Sequence, residues 1–203
     1  MPAVKKVGEP CAGEPHARIE VAAGGNRPVG NAARRWRLPP TLHELQSSRV
    51  HLAGISANPN GAWVTQQARN LLMRLEDEGV RARVLIRDRD SKFTAVFDEV
   101  FRSEGLRLIK APIAAPRAKA HAERWVGSPR RECLDRILIV SRRQLETVLR
   151  EYVAYYNTHR PHRSLDRHPP LLKTRPVPPP DLEWRVRRRD RLGGLLHEYE
   201  LAA

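Results

Sequence analysis

The sequence predicts an α/β fold with a mixed sheet. Three observations carry this. Two short apolar runs, Val84-Leu85-Ile86 and Leu106-Arg107-Leu108-Ile109, each end in a polar or proline-broken loop. Apolar residues at helical spacing lie before, between and after them. Strand and helix patterns then alternate along the chain, which is the mark of sheet and helix layers packed together.

Residues 1–40 hold Gly24-Gly25, Pro28 and Pro39-Pro40 without helix or strand periodicity, and are expected to be disordered or non-native. HELQ, SSR and VHLAGISA then read as a hairpin, turning near Ser47-Ser48, with Val50, Leu52 and Ile55 on its second strand. Asn58-Pro59-Asn60-Gly61 is a turn. From Ala62 to Glu78, Val64, Ala68, Leu71, Leu72 and Leu75 share a helical face, and Gly79 is the stop. Val80 to Ile86 is a strand. Phe93, Phe97, Val100 and Phe101 line a second helix ended by Gly105. The short strand 106–109 enters a loop broken by Pro112 and Pro116, and a helix follows from about His121. Ser141 and Gln144 form a capping box for a long helix with the stripe Leu145, Val148, Leu149, Tyr152, Val153 and Tyr156. Beyond Thr158 the chain is turn-rich and basic. The expected divisions are 1–40, an ordered core over 41–170, and a Pro/Arg-rich tail over 171–203 that adds no core.

With 203 residues, 40% of them hydrophobic, one ordinary domain is expected. The formal charge of +14 points to an acidic polymer, most simply nucleic acid. No apolar run is long enough to span a bilayer, so no membrane partner is expected. The two cysteines, Cys11 and Cys133, have neither metal-ligand spacing nor a disulfide framework, which fits a reducing cytoplasm.

The candidate chemistry lies in carboxylates set among cations. Asp88 and Asp90 follow the first apolar strand, and Glu123 comes near the start of a helix. Arg87, Arg89, Lys92, Lys110, Arg117, Lys119, Arg124, Arg130 and Arg131 surround them in sequence. Carboxylates that converge from a strand end and a helix start can share a divalent cation, and the basic field suits a polyanionic substrate.

The stretch from about Val50 to Pro170 resembles the catalytic core of bacterial insertion-sequence transposases and retroviral-type integrases. GAWVTQQARNLL, IRDRDSKF, AERWVGSPRREC and YYNTHRPHRSL carry the resemblance. It implies a ribonuclease-H-like fold and metal-dependent phosphoryl transfer on DNA. It also implies two Mg²⁺ (or Mn²⁺) ions held by two Asp and one Glu. The second Asp falls on Asp88 and the Glu on Glu123, with 34 residues between them. Asp90 is secondary. Arg87, Lys92, Lys119, Arg124, Arg130 and Arg131 are the expected DNA-phosphate contacts, and a homo-oligomer is an expected form.

The family's first Asp has no counterpart, since no Asp precedes Asp77 and the nearest upstream carboxylates are Glu20 and Glu44. The first strand is therefore expected to be missing or replaced, as by truncation or a frameshift. Metal binding would be weakened and the chain inactive. The alternative is a nucleic-acid-binding remnant without catalysis. A basic structural protein would explain the charge but not the Asp88 and Glu123 motifs. Pro129 falls inside the Glu123 helix, where it costs about 3 kcal/mol unless the helix kinks or ends. Tyr155, Tyr156 and Asn157 are expected to fix the last helix to the sheet, and His159, His162 and His168 to face solvent or DNA.

Overall fold

The computed structural model describes residues 17–22, 41–112, 116–171 and 185–202. The chain runs β1 (Ala17–Ala22), β2 (Thr41–Glu44), β3 (Val50–Leu52), α1 (Gly61–Asp77), β4 (Ala82–Arg87), α2 (Ala95–Ser103) and β5 (Arg107–Lys110). It continues with α3 (Pro116–Glu132), α4 (Arg142–Thr158), β6 (Arg185–Arg191) and β7 (Leu196–Ala202). The first five strands form one sheet in the order β3-β2-β1-β4-β5. β1 pairs antiparallel with β2 and parallel with β4, and β4 pairs parallel with β5. β6 and β7 form a separate antiparallel pair.

Local chemistry sets the helix limits. Asn60 caps α1 by accepting from the Trp63 N–H at 2.9 Å, and Thr94 caps α2 by accepting from Phe97. Both helices end in the same way. Gly79 and Gly105 take φ of +66° and +75°, in the left-handed region that glycine enters without cost. The next residue, Val80 or Leu106, then donates back to Leu75 or Phe101 at 2.8 and 3.0 Å, closing a Schellman motif.

Helices cover both faces of the sheet. On one side α1 and α2 pack Val64, Leu71, Leu75, Phe97 and Phe101 against Leu42 and Leu85. Phe93, Phe97 and Phe101 stack at four-residue spacing, with ring centres 4.8 and 5.0 Å apart. On the other side Trp125 of α3 and Leu145, Leu149, Tyr152 and Tyr156 of α4 pack with Val50 and Ile55.

Three expectations are corrected here. The segment 1–40 is not without a strand: Ala17–Ala22 fills the central sheet position that was expected to be missing or replaced. Its sequence, ARIEVA, alternates over too few residues to stand out from its Gly- and Pro-rich flanks. The helix expected from about His121 begins at Pro116, where proline suits a first turn. The tail contributes to the core after all. Leu196 is buried against the α3–α4 cluster, and RVRRRDR forms a strand without apolar alternation. Cross-strand pairs replace that alternation, with Arg187 opposite Glu200 at 2.9 Å and His197 opposite Asp190 at 2.8 Å.

α3 runs through Pro129 to Glu132, so the proline leaves the Trp125 carbonyl without its intrahelical N–H, while the Pro129 carbonyl itself still accepts from the Cys133 N–H at 3.1 Å. His162 does not face solvent. It is buried edge-on against Tyr156 with ring centres 4.5 Å apart, and this burial lowers its pKa. His159 faces the hairpin, 3.4 Å from Glu198.

Candidate metal site and its basic surroundings

Asp88 follows the last residue of β4, at the carboxyl end of the three parallel strands β1, β4 and β5. Clefts at such strand ends are the usual ligand sites of open α/β sheets. The IRDRDSKF segment turns sharply there. Asp88 Oδ1 accepts from the Asp90 N–H at 3.0 Å, Asp90 Oδ1 accepts from the Lys92 N–H at 3.1 Å, and the Asp90 carbonyl accepts from Phe93. Asp side chains favour such turns because they can satisfy the backbone two residues on.

Asp88 is half-buried, and its second carboxylate oxygen has no partner among the described residues. Among the described residues, its cationic neighbours are directed elsewhere. Arg87 is 4% exposed and grips Asp98 of α2 through Nε and Nη2, both at 2.7 Å. Its remaining nitrogen, Nη1, donates to the Asp88 carbonyl at 2.8 Å, and its carbon lies 5.8 Å from the Phe93 ring centre. Lys92 pairs with Asp90 at 2.9 Å, Lys110 lies 3.8 Å from Asp98, and Arg89 Nε donates to the Ala111 carbonyl.

This corrects the reading of Arg87 as a DNA contact, because a buried, bidentate guanidinium cannot reach a phosphate. Lys92 is half-buried and already paired. Arg124 and Arg131 of α3 are exposed, whereas Arg130 is half-buried 3.8 Å from Asp135. The side chains of Lys119 and Glu123 lie outside the described residues. The backbone places Glu123 on α3, which lies against β1. Glu20, which was noted only as an upstream carboxylate, stands in β1 at the register of Ile86, two positions before Asp88 on the neighbouring strand.

The motifs AERWVGSPRREC and YYNTHRPHRSL meet in space and lock α3 to α4. Trp125 packs edge-on against Tyr156 at 4.7 Å. Glu132, at the end of α3, accepts from Tyr152 at 2.8 Å and from Arg160 at 2.7 Å, and Arg160 also covers the Tyr156 ring. Burial alone would raise the Glu132 pKa, but the Arg160 and Tyr152 hydrogen bonds outweigh it and hold it below the ordinary value. Of Tyr155, Tyr156 and Asn157, Asn157 joins α4 to β3 as expected, through the Val50 backbone, whereas Tyr156 packs on Trp125 and His162 and Tyr155 lies against the same cluster. The partnership of Arg87 with Asp98 was not legible, because residues 11 apart across a strand–loop–helix connection share no periodicity.

Residues 105–170 match the Integrase core domain family. No curated protein matches the sequence. Among solved structures, the catalytic core domain of BIV integrase is similar at a TM-score of 0.54 and 14% identity, over 75% of this chain and 89% of that one. A simian T-cell lymphotropic virus intasome in complex with PP2A regulatory subunit B56 gamma is similar at a TM-score of 0.55 and 14% identity, over 93% and 67%. The fold is therefore that of a ribonuclease-H-like integrase catalytic core, with the sheet order and flanking helices described above. The expected resemblance to integrase and transposase cores holds.

Among the described residues Asp88 has no ion pair, and it offers one carboxylate oxygen of the kind a hard divalent cation takes, at the carboxyl end of the parallel strands. No helix among the described residues is long and apolar enough to cross a membrane.

Proposed function

We propose that the chain is the catalytic core of a mobile-element integrase or transposase, acting on DNA by metal-dependent phosphoryl transfer. The observation that carries this reading is the position of Asp88 at the carboxyl end of β4, beside β1, the strand against which α3 lies. Asp88 and Glu123 are the proposed Mg²⁺ or Mn²⁺ ligands, and Glu20, in β1 at the register of Ile86, is the candidate third carboxylate. A bound cation there would polarise the phosphate and stabilise the departing oxygen. The chain's own residues position the reactants. Arg124 and Arg131 on α3, with Lys119 and Arg130, hold DNA through its phosphates with little sequence preference. Arg160, Glu132 and Trp125 fix the direction of the helix that carries Glu123.

A second reading is a protein that binds DNA and does not cut it. The absence of any Asp before Asp77 favours it. The deciding experiment is nicking of supercoiled plasmid with Mg²⁺ or Mn²⁺, with Glu123→Gln and Glu20→Gln in parallel. Metal-dependent nicking abolished by Glu123→Gln supports the enzyme. Loss with Glu20→Gln as well places that residue in the site. A gel shift without nicking under either metal leaves the second reading.

A further inference from the structure

In a chain of net charge +14, the Asp88 carboxylate has no cationic partner among the described residues, although Arg87, Arg89, Lys92 and Lys110 all lie close in sequence or in the sheet. The cause is visible. Asp98 takes Nε and Nη2 of Arg87 and also attracts Lys110, while Asp90 takes Lys92. Arg87 is the critical competitor, because its Nη1 already rests on the Asp88 backbone carbonyl at 2.8 Å. A guanidinium freed from Asp98 would still be held beside Asp88 by this bond, which makes Arg87 the first cation able to pair with the Asp88 carboxylate. Arginine forms strong two-pronged pairs with carboxylates, and such a pair would occupy the oxygens a cation needs.

We propose that Asp98 is a positioning residue for the candidate metal site: it sequesters Arg87 and so keeps the Asp88 carboxylate open to a divalent cation. The arrangement has two parts. The Arg87–Asp98 pair is electrically neutral and buried, so it adds no repulsion toward an incoming cation. Its third hydrogen bond fixes the Asp88 carbonyl, and with it the direction in which the side chain leaves the strand. This inference rests on the metal-site reading above and assigns a role to a residue outside that site.

The test is Mn²⁺ titration calorimetry on the wild-type chain, on Asp98→Asn, and on the double variant Arg87→Met with Asp98→Asn, with a thermal melt of each. In Asp98→Asn the freed Arg87 pairs with Asp88, and Mn²⁺ affinity falls by about tenfold or more. The double variant removes the competing charge, and affinity returns to within about threefold of wild type although both variants melt lower. Equal loss in the single and double variants would show a purely structural role and overturn the proposal. So would unchanged affinity in Asp98→Asn. If Asp98→Asn does not fold, Asp90→Asn applies the same logic to Lys92, with a smaller loss expected, and an unchanged affinity there counts against the proposal. A wild-type chain that binds no Mn²⁺ overturns the metal-site reading itself, which is a different result from either of these.

Discussion

The side-chain amide of Asn157 makes two hydrogen bonds to the backbone of Val50, accepting from its N–H at 3.0 Å and donating to its carbonyl at 2.9 Å across 107 positions of sequence. β3 is the edge of the sheet, and on its inner side Val50 pairs with His43 of β2. Asn157 therefore serves as a one-residue substitute for a sixth strand. Asn157→Leu would leave a buried N–H and a buried carbonyl without partners, at a cost of about 2–4 kcal/mol. Urea denaturation should show a lower midpoint with an unchanged slope. A midpoint within error of wild type would remove this role.

Glu132 gives the fold a predictable response to acid. Its folded pKa lies below the ordinary 4.5, so its contribution to stability is complete above that value and is lost as pH falls through the folded pKa. Part of the decline in melting temperature on acidification below about pH 4.5 should therefore vanish in Glu132→Gln, although that variant melts lower at neutral pH. Glu44 has the same sign: burial raises its pKa, and hydrogen bonds from His51 and Ser47 more than offset this. Some acid sensitivity should thus survive the single substitution.

Cys133 should be silent toward thiol reagents. Burial first, and the neighbouring Glu132 charge second, push its thiol up to about 12. Native protein at pH 8 should show no alkylation at Cys133 by peptide mapping, and full alkylation in denaturant. Labelling in the native state would mean that the α3–α4 side opens easily.

The basic residues separate into two kinds with different signatures. Arg124→Ala and Arg131→Ala should each reduce the slope of log affinity for DNA against log salt by about 1, with little change in melting temperature. Arg87→Ala should do the reverse. It strands Asp98 in the interior at a cost of about 3–5 kcal/mol and leaves the salt slope alone. A changed salt slope in Arg87→Ala would return that residue to the DNA surface.

The sequence showed clearly wherever a period or a cap marked an element. The stripes of α1 and α4 and the glycine stops at Gly79 and Gly105 lie where patterning places them, and the β2–β3 hairpin is present, although β2 starts at Thr41 and β3 ends at Leu52, short of Ile55. It was silent where stability comes from pairing between distant segments. β6 is a strand of arginines held by carboxylates on β7, so hydrophobic alternation could not reveal it. β1 spans six residues and depends on neighbours on both sides. At the candidate site, Asp88 was legible from its place after an apolar run. The loss of Arg87 to Asp98 was not, because the same basic residue type serves a surface contact and a buried ion pair equally well in one dimension.

The central place of β1 has a consequence for how the chain reaches its native state. The strand that comes first in sequence lies between β2 and β4, so the sheet cannot grow outward from the local β2–β3 hairpin alone. Ala17 must find Ala82, and Ile19 must find Leu85, across an intervening stretch that holds β2, β3 and α1, and in parallel register. Loop-closure entropy has to be met before those contacts return anything, which raises contact order and slows folding. Until then the inner edges of β2 and β4 are both unpaired, and they form a template on which another chain's strand can add. Slow folding, with a concentration-dependent loss to aggregation during that delay, is thus built into the topology.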